Sequence, residues 1–258
     1  MMPELSWEHA LAAVALVGIR VSMLMTFAPF FSHAAVPMRI KAGLTLALTV
    51  LLFPVCAPAV LPPLNALALV KILLGEAAAG LVLGLSVQFV FEAGQMAAQI
   101  LGIQMGYSLV QLLDPQTLVD TTVLALFQQM FAMLVFLQLD VHHWLLRGVV
   151  HSFSYLPAGT VALHITSARE ILRASGGLWL AGLQIAAPVL FATLLTDLAL
   201  GFFGKISPQL PVLLLGIAVK SWLGMAVLTA TLVFWPGYLA RQFGAALEVG
   251  ERALHLAQ

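Results

Sequence analysis

Charge is scarce in this sequence. Its 258 residues hold eleven Lys or Arg and eleven Asp or Glu, 9% of the chain, against 62% hydrophobic residues. Soluble domains usually carry about 25% charged residues, and a mean hydropathy of +1.04 lies far from that regime. Left bare in water, such a chain would expose more apolar surface than monomers tolerate. A soluble enzyme, a secreted module and a disordered tail are excluded, and lipid or partner subunits must cover the surface. No run of basic residues exists, which removes a nucleic-acid footprint. Cys56 is the lone cysteine, so an internal disulfide and a cysteine-based metal cluster are excluded. His-Glu-x-x-His and a phosphate-cradling glycine loop are likewise missing, and no metal or cofactor is expected. Gly106-Tyr107-Ser108, with His142, His143 or His151 as base, is a poor match to an intramembrane protease.

What the sequence has is long uncharged stretches: 42–70, 93–113, 121–139, 174–196 and 221–240. About 20 apolar residues cross a bilayer as a helix. Proline and glycine rather than charge punctuate them, at Pro29 and Pro37, Pro54 to Pro63, Asp114-Pro115, Pro157-Ala158-Gly159, and Pro208 with Pro211. The pattern predicts an all-α polytopic membrane protein of six main helices, about 7–28, 38–53, 67–103, 121–155, 167–203 and 212–235. Residues 1–235 form one membrane-embedded region, and 236–258 form an amphipathic helix in which Leu239, Phe243 and Leu247 alternate with Arg241, Glu248 and Arg252. Three helices of about 35 residues would span about 50 Å, so tilt, a kink or protein cover beyond the bilayer must absorb the excess. The acidic N-terminus does not fit a cleavable signal peptide, so the first hydrophobic helix is expected to stay attached. Lys and Arg are spread too evenly to set membrane topology.

Three constellations carry physical chemistry. Gly80 and Gly84, then Gly94, Ala98, Gly102 and Gly106, recur at four-residue spacing, which places small residues on one helix face where another backbone can approach. Plain packing and a subunit-docking or conduit-lining groove both fit. Gln88, Gln95, Gln99, Gln104, Gln111, Gln128 and Gln129 need interhelical hydrogen bonds or a wet cavity. Arg20, Lys71, Glu76, Glu92, Asp197, Lys205 and Lys220 fall in or near apolar helices, where a charge pairs, meets water or serves a pathway. Structural pairing and a proton or ion relay are the two readings, and a stand-alone secondary transporter would use the second.

The central connection is Gln104-Met105-Gly106-Tyr107-Ser108-Leu109-Val110-Gln111-Leu112-Leu113-Asp114-Pro115. It is too apolar for an exposed loop, yet Gly106 and Asp114-Pro115 interrupt the helix. Irregular backbone at membrane depth persists only inside protein or along a cavity. Leu109, Val110, Leu112 and Leu113 suit a seal that excludes water, with Met96, Met105, Met130 and Met133 as deformable neighbours.

These residues, in order, resemble a known family. Arg20-Val21, Ala28-Pro29-Phe30, Val36-Pro37-x-Arg39-Ile40-Lys41, Gly75-Glu76-x3-Gly80-x3-Gly84 and Gly102-x-Gln104-Met105-Gly106-x-Ser108 are similar to FliR, the R subunit of the bacterial flagellar export gate. Asp114-Pro115, Phe136-Leu137-x2-Asp140-x-His142-His143, Ser152-Phe153-x3-Pro157-x-Gly159 and Ser207-Pro208-Gln209-Leu210 continue the likeness. The T subunit of virulence type III secretion is the equivalent alternative. The resemblance implies a non-enzymatic inner-membrane subunit of the flagellar basal body, part of a helical hetero-oligomeric channel with the P and Q subunits (FliP, FliQ). The export switch protein FlhB and the export gate protein FlhA are implied as neighbours, and unfolded flagellar subunits as cargo. It also places a plug loop at about 104–118. Leucines stand at 109 and 112, where the family pattern leads one to expect aromatics, so ring stacking there is lost.

Overall fold

A computed structural model describes residues 7–32, 36–56, 66–107, 122–160, 165–207, 209 and 211–255. All regular structure among them is helical: α1 (Trp7–Phe27), α2 (Pro29–Ser32), α3 (Met38–Cys56), α4 (Ala66–Gln104), α5 (Val123–Gln138), α6 (Val141–Tyr155), α7 (Ile165–Ile206), α8 (Val212–Thr231) and α9 (Trp235–His255). The protein is all-α and polytopic, as its composition predicts. Among the described residues, four helical segments are long and apolar enough to cross a membrane, and a fifth if the bent pair α5 and α6 counts as one span. At 39 and 42 residues, α4 and α7 are each near 60 Å long at about 1.5 Å per residue, about twice a bilayer core.

The helix ends follow local chemistry. Pro29 opens α2, where a missing N–H costs nothing. The Pro37 carbonyl accepts the first bonds of α3 from the Ile40 and Lys41 amides. The Thr122 hydroxyl caps α5 by accepting the Ala125 N–H at 3.2 Å. The predicted fourth helix is broken: α5 and α6 meet at a bend of 62°. Asp140 sits there in the left-handed region, at φ 54 and ψ 30, and makes no side-chain cap. Asp tolerates that conformation better than most residues. The predicted sixth helix passes through the 3-10 turn Leu232–Phe234 straight into the amphipathic α9. Leu239, Phe243, Ala253 and Leu254 are buried on one side of α9, while Arg241, Glu248 and Arg252 are exposed on the other.

The chain forms two compact units. One comprises residues 1–89, 136–175 and 242–258, and the other 90–135 and 176–241. In the first, α1 lies against α3, with Gly18 facing the Thr49 side chain. Gly80 and Gly84 of α4 admit the α1 backbone so closely that an added Cβ would stand 2.9 Å from Met23 Cβ or Phe27 Cβ. Phe136 stacks edge-on to Phe243 at 5.8 Å in the same unit. The second unit is built on Ala97, Leu101, Met105, Leu124, Ala186, Val189, Leu228 and Trp235, with Phe131 edge-on to Trp235 at 5.6 Å.

Much apolar surface stays open. Only 11% of the α3 span is buried, and Met38, Leu46, Leu51 and Val55 are exposed along it. Such a surface requires lipid or other subunits.

Candidate functional site

Arg20 of α1 and Glu76 of α4 form a buried pair, surrounded by Ser152 and Phe153 of α6 and by Leu156 and Gly159 of the turn after it. Arg20 and Glu76 are both 0% exposed and pair at 2.7 Å through Nε and Oε2. The guanidinium also donates to Ser152 Oγ at 2.9 Å and to the Leu156 carbonyl at 3.1 Å. Its Cζ lies 3.9 Å from the Phe153 ring centroid, a cation–π contact at close range. Glu76 Oε1 accepts the Gly159 N–H at 2.8 Å. Gly159 has φ 92, a conformation that favours glycine and points this N–H at the carboxylate. The desolvated charges are thus compensated on both sides, and α1, α4, α6 and the Pro157–Gly159 turn are tied together.

The remaining predicted charges divide. Lys220 and Asp197 pair at 2.9 Å, half-open to the surroundings. Lys71, Glu92 and Lys205 are exposed. Of the sequence's two readings for these residues, pairing describes Arg20 with Glu76 and Asp197 with Lys220.

The small-residue stripe is a packing surface within the second unit. Gly94 lies on Gln128, with 2.9 Å between the amide nitrogen and an added Cβ, and Gly102 lies on Thr122. Ala98 is 3% exposed. At the stripe's end α4 stops by a glycine terminator. The Met105 amide bonds the Leu101 carbonyl at 2.8 Å and the Gly106 amide the Ile103 carbonyl at 3.1 Å. Gly106 itself has φ 84, the left-handed exit that commonly ends a helix. Ser221 of α8 donates to the Met105 carbonyl at 2.6 Å, satisfying an acceptor that the ended helix leaves open. The Met105 side chain is fully buried over Gly224, 2.7 Å from an added Cβ there. Gln104, Met105, Gly106 and Tyr107 therefore form a pinned exit from α4. Ser108, Leu109, Val110, Gln111, Leu112, Leu113, Asp114 and Pro115, and the plug as far as 118, lie outside the described residues.

Among the glutamines, Gln128 stands out. It is 2% exposed, and neither its Nε2 nor its Oε1 has a hydrogen-bond partner among the described residues. A buried unsatisfied amide costs about 1–3 kcal/mol. Replacing Gln128 by Leu is therefore expected to raise the thermal midpoint of the purified protein. A lowered midpoint would mean that the amide has a bonding partner or an ordered water.

Sequence reasoning missed two groupings. Ser152 and Gly159 hold the Arg20–Glu76 pair, although the sequence shows them only as parts of one motif with Phe153 and Pro157 and not beside those charges. Asp140, His142 and His143 bring one ligand atom each within 4.8 Å of one another, with His143 Nδ1 at 3.2 Å from Asp140 Oδ1. The Asp-x-His-His spacing was the available signal. Two imidazoles and a carboxylate suit a divalent transition metal, though the Asp140 and His143 side chains are 65% and 59% exposed.

Comparison with known proteins agrees with the residue pattern. The family described as "Bacterial export proteins, family 1" matches residues 11–246. The flagellar biosynthetic protein FliR of Escherichia coli (strain K12) is 32% identical, over 82% of this chain and 81% of its own length. Its namesake from Bacillus subtilis (strain 168) is 32% identical over 81% of each. That of Pectobacterium carotovorum is 29% identical over 90% of this chain and 88% of its own.

Proposed function

This chain belongs to the bacterial export proteins, family 1, the family of flagellar biosynthetic protein FliR, and from that premise we propose that it is a channel-forming subunit of the flagellar protein export gate. It is a membrane-embedded component of the flagellar export apparatus. In this reading it sits in the bacterial inner membrane, at the flagellar basal body. There it assembles with the P and Q subunits (FliP and FliQ), meets FlhB and FlhA, and passes unfolded flagellar subunits. Its role is structural, with no chemistry on a substrate. The three relatives named above carry the flagellar name, which favours that branch over the virulence one.

The observation that carries the proposal is the exit from α4. Gly106 turns the chain at φ 84 immediately after a methionine locked by Ser221 and seated on Gly224. A loop that must seal a pore and then yield needs one end fixed to a rigid element, so that opening moves the loop and not the wall. The apolar residues that follow, Leu109, Val110, Leu112 and Leu113, would exclude water when closed. Exposed apolar faces on α3, α7 and α8 leave room for neighbouring subunits. The Arg20–Glu76 clamp, fully compensated, suits a rigid wall better than a proton relay.

Deleting Gly106 to Leu113 is expected to leave the complex assembled and make the membrane permeable to ions, read as conductance in planar bilayers or as salt sensitivity of growing cells. Native mass spectrometry of the tagged chain reports assembly in the same preparation, with one copy bound to several copies of two smaller membrane proteins. An assembled complex with no leak removes the loop from the seal. A bare monomer or homodimer removes the export-gate reading altogether.

A further inference from the structure

The cleft where α1, α2 and α3 meet carries positive charge without a counter-charge among the described residues. A cavity of about 350 Å³ is lined by Met25, Phe30, Phe31, Ile40 and Leu44, with Lys41 as its one charged wall residue among the described residues. Lys41 is half-buried, and its ammonium donates to the Ser32 carbonyl at 2.9 Å. No ion pair among the described residues involves Lys41 or Arg39. No Asp or Glu occurs between Glu8 and Glu76, so a counter-charge would have to come from a distant element, as Glu76 does for Arg20. A half-desolvated ammonium against aromatic and aliphatic walls calls for an anion. The first amides of α3, which begins at Met38, point the same way, because a helix N-terminus favours negative charge.

Depth fixes the kind of anion. Met38–Cys56 is long and apolar enough to cross a membrane, and Arg39 and Lys41 stand in its first turn, the level at which a spanning helix would meet the headgroup phosphates. The cavity beside them is apolar. We propose that this cleft binds one anionic phospholipid, with the headgroup phosphate held by Lys41 and Arg39 and the start of an acyl chain lying between Phe30, Phe31 and Leu44. Basic pockets at the ends of membrane helices recognise anionic headgroups by this division of labour. A zwitterionic lipid offers the same chain but no net charge, and an acidic side chain of a neighbouring subunit offers charge but no chain to fill the cavity. The inference concerns the membrane-embedded chain and does not depend on its role as a channel.

The test uses the full-length chain in its native assembly, extracted in mild detergent and freed of loosely held lipid. It is mixed with equal amounts of dioleoyl-phosphatidylglycerol and dioleoyl-phosphatidylcholine, and retained lipids are counted by native mass spectrometry. Phosphatidylglycerol is expected to be retained in preference. The double variant Arg39→Gln/Lys41→Gln should lower its retention by about thirtyfold, the scale of two cations removed from a headgroup site, and leave phosphatidylcholine unchanged. Leu44→Trp, which fills the cleft, should lower both. Equal retention of the two lipids by the natural chain, or undiminished retention by the double variant, overturns the proposal. If the double variant does not assemble, a photoactivatable phosphatidylglycerol applied to the natural complex decides the matter. Label on the segment 25–44 supports the site. Label confined elsewhere, or a crosslink from a photoreactive residue at position 44 to a partner subunit, overturns it and gives the cleft to protein.

Discussion

Replacing Glu76 by Gln is expected to destabilise the protein by about 3–5 kcal/mol, the usual cost of stranding one charge of a buried pair. The reason is geometric. Both side chains are 0% exposed, so water cannot replace the lost carboxylate, and Ser152 and the Leu156 carbonyl are neutral partners for the Arg20 guanidinium. Arg20→Met should cost a comparable amount by leaving Glu76 charged and alone. The double variant Arg20→Met/Glu76→Gln strands no charge and keeps an acceptor for the Gly159 N–H, so it should recover most of the loss. Thermal unfolding of the three purified variants, read as a double-mutant cycle, measures the coupling. Single variants within about 0.5 kcal/mol of the parent, the scale of ordinary surface substitutions, would show that water reaches the pair. The same double variant separates the clamp from a relay. If the pair only holds helices together, flagellar export returns with folding. If Glu76 carries protons, export stays absent although the protein folds.

That pair also marks how far the sequence could be read. Arg20 and Glu76 were recognisable as costly charges in apolar helices, because one residue at a time suffices for that judgement. Their partnership was not, since 56 positions separate them and only the packing of α1 on Gly80 and Gly84 brings them together. Helix limits were legible at Pro29 and Pro37, whereas Pro54, read as a breaker, lies inside α3, which runs on to Cys56. The break at Asp140 was not, because Leu139 and Val141 on either side suit a helix and the left-handed turn depends on one tolerant aspartate. The four-residue glycine stripe announced close packing, yet its partners Gln128 and Thr122 come from α5 and its cap. Gly224 was invisible: a single glycine in an apolar run carries no period, although it seats Met105. Excess length in α4 and α7 was plain from arithmetic alone.

Substitutions at Gly106 should separate the hinge from the wall. Two costs are combined there. A φ of 84 is a conformation that L side chains adopt only with strain, about 1–2 kcal/mol for a residue such as Ala. An added Cβ would also stand 2.9 Å from Ile217 Cγ2. The second cost is the softer, because the neighbour is the end of a side chain. Gly106→Asn is thus expected to be the mildest change, Gly106→Ala intermediate and Gly106→Val the most severe. Adding Ile217→Ala to Gly106→Ala should relieve the contact and leave the backbone strain. Strain at this point falls first on the last turn of α4, and the atoms nearest an added Cβ belong to Ile217 rather than to Leu101, Ala186 or Val189 of the core. The expected result in a channel is therefore local. Ion conductance of the assembled complex rises in the order Asn, Ala, Val, while the amount of complex in the membrane falls much less steeply. Conductance and abundance falling together would mean that Gly106 serves the fold as a whole. A leak that follows the size of the side chain and ignores its tolerance of positive φ would put the contact with Ile217, rather than the turn, in control of closure.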